Sequence, residues 1–343
     1  MVAPGGIEVD AAVAALKAAA DQTRLRILLL LSDGELNVKD FTRILGQSQP
    51  RISRHVKLLG EAGLVERVRE GSWVFCRLAE GSLGELARGV VASIDQSDAI
   101  YTRDRQRADA LKTERQDVAQ DYFRSHAADW DRIRALHVSE AEVEHAMREV
   151  LGSVPVDLLV DLGTGTGRTL EFFADQYARG VGIDVNPSML AYARSKLSKD
   201  GLSHVQVRHG DIYNLSFADE AADTVIMHQV LHFLSDPAHA IHEAARVLGP
   251  GGQLLIVDFA PHSLEFLREQ YAHERLGFSH AQVKQWLSDA GLAVRQVRDL
   301  EPPSENASDK LTVSIWLAER PGQRKHTAAS VRAQQLQPER SAP

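Results

Sequence analysis

"VDLGTGTG", Val160 to Gly167, sets a run of apolar, strand-forming residues directly against three glycines spaced G-x-G-x-G. A buried strand that ends in such a turn is where an α/β sheet brings its backbone against a nucleotide, because glycine has no Cβ to hold a ligand away. Two common phosphate-binding patterns do not fit. A P-loop needs Gly-Lys-Ser/Thr, whereas Arg168 and Thr169 follow Gly167. The dinucleotide fingerprint G-x-G-x-x-G, counted from Gly163 and Gly165, puts its third glycine at position 168, which is arginine.

Working outward from this turn, strands and helices alternate after Val156: "DLLVDLG", "RTLEFFADQYA", "RGVGIDV", "PSMLAYARSKLS", "HVQVRHGD", "ADTVIMHQVL", "AHAIHEAARVL" and "GQLLIVDF". That alternation predicts a parallel α/β sheet. The segments around "LAVRQVRDL" and "LTVSIWLAER" have no helix between them, so the sheet is expected to end in an antiparallel pair. From Pro321 the chain is polar and lacks aromatics, which predicts a disordered tail over 321–343.

The G-x-G-x-G turn resembles the first motif of class I S-adenosylmethionine (SAM) methyltransferases, and further features fall at matching places. Asp184 ends the second strand 21 residues after Gly163, where a carboxylate can accept hydrogen bonds from both ribose hydroxyls. The resemblance puts Asp211 at the adenine amino group, the backbone of Ile212 against the ring, and Asp161 at the methionine ammonium end. It adds Val185 and His228 to the cofactor-binding set of Asp161, Gly163, Gly165, Gly167, Asp184, Val185, Asp211, Ile212 and His228. "ARVLGPGGQLLIVDF" resembles the family's approach to its fifth strand. The implied ligand is SAM or S-adenosylhomocysteine (SAH), over about residues 118–318. The fourth strand ends "MHQVLHF" rather than Asn/Asp-Pro-Pro-Tyr/Phe, which argues against DNA N-methylation, and one cysteine is too few for an arsenic methyltransferase. No catalytic residue is fixed by motif. Tyr122, Phe123 and Trp130 lie in a stretch that resembles the helical arm over small-molecule pockets, although helical aromatics are more often core. His228 and His232 have no evident third metal ligand, so buried histidines are the reading favoured over a metal or general base.

The first third of the chain reads differently. "AAVAALKAAA" is helical by composition, Asp21 can cap "QTRLRILLLL", and "NVKDFTRILG" repeats apolar residues at helical spacing up to Gly46. Ser48 is a candidate N-cap for "QPRISRHVKLLGEAG", whose Ile52, Val56, Leu59 and Gly63 share one side and leave Ser53, Arg54 and Lys57 outward. "LVERVREGSWVFCRL" alternates around "EGS" as a two-stranded wing would. From Gly84 to about Arg134 the pattern is helical, charged and without a turn cluster. Net charge is uneven: residues 1–90 carry 12 Lys and Arg against 11 Asp and Glu, although the whole chain is at −8. A basic strip over Gln47–Arg69 on an acidic protein points to a polyanion.

"SQPRISRHVKLLGEAGLVERVREGSWVFCRL" resembles the recognition helix and wing of ArsR/SmtB-type winged-helix repressors, from about Val9 to Glu80. The resemblance implies a homodimer on a palindromic double-stranded DNA operator. Matching positions make Ser48, Gln49, Arg51, Ser53 and Arg54 readers or positioners of the helix, with Lys57, Arg67 and Arg69 on phosphate. Many such repressors sense metal through a Cys-x-Cys pair, and here those places hold Asn37 and Lys39, so no metal is expected.

The expected fold is an α+β winged helix-turn-helix domain followed by an α/β Rossmann-like class I methyltransferase domain with a mostly parallel seven-stranded sheet. The expected divisions are 1–83, a helical linker or dimerisation segment 84–117, a methyltransferase-like domain 118–320, and the tail. The longest apolar run is far shorter than a membrane span, and Cys76 is the sole cysteine, so a cytoplasmic, reducing compartment and no membrane partner are expected. Function is expected to be a repressor whose second domain binds SAM or SAH as effector, controlling methionine or SAM-cycle genes. The alternative is an active methyltransferase on a small-molecule acceptor, with an autoregulatory winged helix.

Overall fold

Residues 6–70, 72–127, 130, 140–152, 156–302 and 311–323 are described by the computed structural model. Two compact units divide the chain, Met1–Asp117 and Val118–Pro343.

In the first unit α1 spans Val9–Ala19 and α2 Gln22–Leu31, with Asp21 accepting from the Arg24 N–H at 3.0 Å as foreseen. Ile27 and Leu28–Leu31 are all at most 4% exposed and form its core with Phe41, Ile44 and Ile52. α3 (Val38–Leu45) starts on a capping box in which Asn37 and Asp40 exchange hydrogen bonds, and it ends at Gly46 with φ 64°. α4 (Gln49–Glu61) carries Pro50 in its first turn and has Ser48 at its N-cap position as expected, although the Ser48 side chain makes no capping bond. Gly63 is not part of α4; it lies beyond it at φ 70°. The wing strands β2 (Val65–Glu70) and β3 (Trp73–Leu78) are joined by a third, β1 (Leu36–Asn37), in the order β1-β3-β2.

The expectation of unbroken helix from Gly84 is also corrected. α5 (Gly81–Ala92) stops, and α6 (Ala99–His126) begins after a turn in which Asp95 accepts from the Ser97 N–H and Asp98 from the Ile100 and Tyr101 N–H groups. Asp and Ser supply such turns from their own side chains, without glycine or proline to announce them. Ala87, Val91, Tyr101, Ala108 and Leu111 then pack into the first unit's core, and buried Asp104 holds Arg26 through two hydrogen bonds of 2.5 and 2.7 Å. Residues 128–129 and 131–134 of the expected helix lie outside the described residues, as does 324–343 of the expected tail.

The second unit is built on a seven-stranded sheet in the order β6-β5-β4-β7-β8-β10-β9. Its strands are β4 (Val156–Leu162), β5 (Tyr177–Asp184), β6 (Val205–His209), β7 (Ala222–His228), β8 (Leu248–Phe259), β9 (Ala293–Leu300) and β10 (Val313–Glu319). All pairings among the first five are parallel, and β10 runs antiparallel to β8 and β9. Both faces are covered. Leu254 and Ile256 of β8 enter one core, and Leu255, Val257 and Phe259 the other. The helices are α7 (Glu140–Leu151), α8 (Arg168–Phe172), α9 (Pro187–Lys199), α10 (Pro237–Val247), α11 (Phe266–Gln270) and α12 (His280–Asp289). The stretch expected as one helix, "RTLEFFADQYA", is helical only to Phe172, because Tyr177 is already in β5, buried, with its hydroxyl donating to the Leu170 carbonyl at 2.6 Å. Strand order reverses beside β4, and the carboxyl end of that strand is where such sheets open a crevice for ligand.

Candidate functional site

The glycine turn sits at that crevice. Gly163, Gly165 and Gly167 all have positive φ, at 71°, 51° and 79°, a region other residues enter only with strain. A Cβ on Gly163 would stand 2.4 Å from Val230 Cγ2, so the turn is pressed against the chain after β7. On Gly165 the nearest atom would be Trp130 Nε1 at 3.7 Å, which leaves the backbone open beneath an indole. Asp184 pins the turn: its Oδ2 accepts from the Gly165 N–H and its Oδ1 from the Asn186 N–H, each at 2.8 Å. Burial pushes its carboxyl above the ordinary range, opposed by the N–H groups of Asn186, Gly165 and Val185. Against three N–H groups, the carboxylate's roughly four lone-pair sites leave room for a hydroxyl.

The other expected cofactor residues fall along the same edge of the sheet. Asp161 is 1% exposed near the end of β4, and Val185, after β5, is 42% exposed. β6 ends at His209, so Asp211 stands two residues beyond it in a turn, exposed, with Oδ1 accepting from the Tyr213 N–H at 2.9 Å; Ile212 is half-buried. His228 closes β7, buried, with Nδ1 3.5 Å from Thr169 Oγ1.

Two groups here escaped the sequence reading. Asn186 is buried and caps α9, accepting from the Ser188 and Met189 N–H groups while its Nδ2 donates to the Gln120 carbonyl at 3.0 Å. The Asn-Pro step that opens the helix was a usable signal. Asp258, wholly buried, accepts from His232 Nδ1 at 2.8 Å. Nothing local marks that pair, yet His228 and Val257 are register partners on β7 and β8, which brings the residues just beyond them together.

In the first unit α4 buries Ile52, Val56 and Leu59 and exposes Gln49, Arg51, Ser53, Arg54 and Lys57 on the other side, with Ser48 exposed before it. Lys57 is 3.6 Å from Glu61 one turn on. Arg67 and Arg69 alternate outward along β2. Asn37 is spent on the α3 cap, and Lys39 Nζ lies 5.3 Å from the Trp73 ring centroid. Cys76 is buried in the wing, which pushes its thiol up to about 12. Among the described residues no His/Cys/Asp/Glu group is arranged to hold a metal, and no helix is long and apolar enough to cross a membrane.

Comparison with known proteins separates the same two parts. Residues 21–67 match the family described as bacterial regulatory protein, arsR family, and residues 160–256 match the methyltransferase domain family. The chain therefore joins an ArsR-family helix-turn-helix domain to a methyltransferase domain of class I fold. The arsenical resistance operon repressor of Escherichia coli (strain K12) is 55% identical over 64 residues, 18% of this chain and 55% of that one. An uncharacterized 37.1 kDa protein in transposon TN4556 of Streptomyces fradiae is 33% identical over 168 residues, 44% of this chain and 48% of that one. A chain from the solved complex of the Haloferax volcanii Trm112 methyltransferase activator with a methyltransferase superposes with TM-score 0.51 at 26% identity, covering 61% of this chain and all of that one. The chain spans about half the length of the curated relatives it matches.

Proposed function

We propose that this protein is a DNA-binding transcriptional repressor of ArsR type whose methyltransferase-like unit binds SAM or SAH as its effector. The observation that carries the reading is the joining, in one chain, of a helix with an exposed Gln49, Arg51, Ser53, Arg54 and Lys57 face to a left-handed glycine turn pinned by Asp184. The turn fits the ligand: at Gly165 a Cβ would meet nothing nearer than Trp130 at 3.7 Å, and exposed Val185 offers an apolar surface beside the carboxylate. Asp184 would take the ribose hydroxyls, Asp211 and Ile212 the adenine, and Asp161 the ammonium group. When bound, SAM supplies an electrophilic methyl group.

The likeness to an arsenical resistance operon repressor supports operator binding, and a homodimer is the form the palindromic-operator reading expects. Asn37, Lys39 and Cys76 point away from thiolate metal sensing and toward the second unit's ligand. Genes of methionine or SAM turnover are the expected targets, and the cytoplasm the expected compartment. The divisions 1–83, 84–117, 118–320 and 321–343 are retained as functional segments.

Calorimetric titration with SAM and with SAH, alone and with operator DNA obtained by selection, tests this. A ligand that lowers DNA affinity must bind the DNA complex more weakly by the same factor. Identical ligand affinity with and without DNA sinks the effector role.

A further inference from the structure

α4 carries one group to which neither DNA contact nor core packing gives a role. His55 follows Arg54 at the border between the exposed face and the buried Ile52, Val56 and Leu59, its side chain 13% exposed, and it is the only histidine of the first unit. Its Nδ1 is buried and has no hydrogen-bond partner among the described residues. Asp21 Oδ1, at the N-cap of α2, stands 3.7 Å from that nitrogen, too far for a hydrogen bond. The same oxygen accepts from the Arg24 N–H at 3.0 Å, which fixes the carboxylate in place. Arg51, one turn before His55 on α4, shares its stripe of the helix and is exposed, so the ring borders the face that would meet DNA.

The charged groups that bear on the ring are Asp21 and Arg24 at the start of α2, and Arg51 and Arg54 on α4. Burial holds the imidazole below the ordinary histidine value; Asp21 pulls it up, and Arg24, Arg51 and Arg54 push it further down. Although burial opposes, the Arg24 N–H and then the Arg24 and His55 charges hold Asp21 below the ordinary carboxylate range, so it is an anion at neutral pH. A phosphate against Arg51 or Arg54 would offset their repulsion of a proton on the ring, and the attraction of Asp21 would then prevail.

We propose that DNA binding by the first unit takes up a proton at His55, which then clamps α4 to the start of α2 through Asp21. A solvent proton bonds to Nδ1, and the new N–H donates to Asp21 Oδ1 as the pair draws together. The inference rests on the DNA reading of α4. His55 is a positioning residue, since it holds the helix whose exposed side chains meet the DNA. Linkage is reciprocal: acid strengthens DNA binding by the factor by which DNA strengthens protonation, about tenfold per protomer for a midpoint raised by about one pH unit. The gain is absent above the midpoint of the bound ring and complete below that of the free one. Above about pH 8 the ring is neutral in both states, and Arg51 and Arg54 act independently of it.

Calorimetry of the full chain with selected operator DNA, at about pH 6.5 in buffers of low and high ionisation enthalpy, counts the protons exchanged on binding. The parent should take up a fraction of a proton per protomer that His55→Gln loses, and from about pH 8 to about pH 5.5 its affinity should rise about tenfold more than that of the variant. Asp21→Asn, which can still cap α2, should reduce both effects. Uptake that survives His55→Gln, or a parent that binds DNA with none, overturns the inference and leaves the DNA reading standing. A parent that binds no DNA strikes that reading and the inference with it. Without DNA, the histidine NMR signal missing from His55→Gln reports the free ring. It should titrate below the ordinary histidine value and move up in Arg51→Gln and in Arg54→Gln, both changes at exposed positions that leave the fold intact. A midpoint indifferent to those two charges overturns the coupling.

Discussion

The residues proposed to face DNA in the first unit lie close together in the chain, Ser48 just before one helix, Gln49 to Lys57 on it, and Arg67 and Arg69 on the next strand. The groups of the second unit's site are scattered from Asp161 to Asp258 and meet only because parallel strands end at one edge. In the proposed reader, Arg51, Arg54 and Lys57 are exposed on one face of α4, and Lys57 has Glu61 at 3.6 Å. In the cofactor site the groups lean on one another, as Asp184 does on Gly165 and Asn186. Single substitutions should therefore be near-additive in the first unit and coupled in the second.

Paired glycine substitutions break or sharpen that contrast with the largest effect. Gly46 and Gly163 have similar φ, 64° and 71°, but a Cβ on Gly46 meets nothing within 4 Å while one on Gly163 meets Val230 at 2.4 Å. Gly46→Ala should cost about 1 kcal/mol, the left-handed strain alone. Gly163→Ala should add the clash, destabilise its unit by about 3 kcal/mol and abolish SAH binding. Thermal melts and calorimetry measure both, and equal costs would show that the turn is not a close-packed cradle. Next comes Asp184→Ala, which removes a charged acceptor and should cost on the order of 2 to 3 kcal/mol in SAH binding while the fold survives. Undiminished SAH affinity would disprove the ribose assignment.

Legibility in the sequence follows the same division. Asp21, Gly46 and the buried face of α4 were readable because helix period and caps are local signals. So were the glycine turn and Asp184, whose spacing is imposed by one strand-helix-strand unit. The short β1 strand was not, since Leu36 and Asn37 become a strand only by pairing with Cys76 and Phe75. Asp258 escaped for a like reason: its partner His232 is set by sheet register. The turn at Ser93–Asp98 was local but was built from Asp and Ser side chains inside a charged run, which the helical pattern masked.

In the reader, Arg54→Ala should cost about 1 to 3 kcal/mol on the selected operator and relax preference at one position of each half-site, as loss of a bidentate fork on a guanine edge would. Lys57→Ala should be milder and indifferent to sequence. Its ammonium is exposed and only 3.6 Å from Glu61, so removal should flatten the slope of log affinity against log salt by about one per lost phosphate contact, doubled in a dimer. Titrations over salt with operator and scrambled duplexes separate the two. Intact affinity and preference in Arg54→Ala would remove α4 from the role of reader.

The smallest expected effect is none at all, from zinc or arsenite on DNA binding. In this chain the positions that carry thiolates in metal-sensing relatives are committed to structure: Asn37 closes the α3 capping box, and Lys39 lies over the Trp73 ring. A lysine ammonium repels a cation, and converting Asn37 to a ligand would cost the cap, typically about 1 kcal/mol. Cys76 cannot substitute, because it is buried and its thiol is pushed up to about 12, leaving almost no thiolate at neutral pH. A fluorescent operator titrated with the protein at micromolar zinc or arsenite should give the affinity seen in chelator. Release that persists in Cys76→Ser would reveal a metal site built from other ligands and would move the effector from the second unit back to the first.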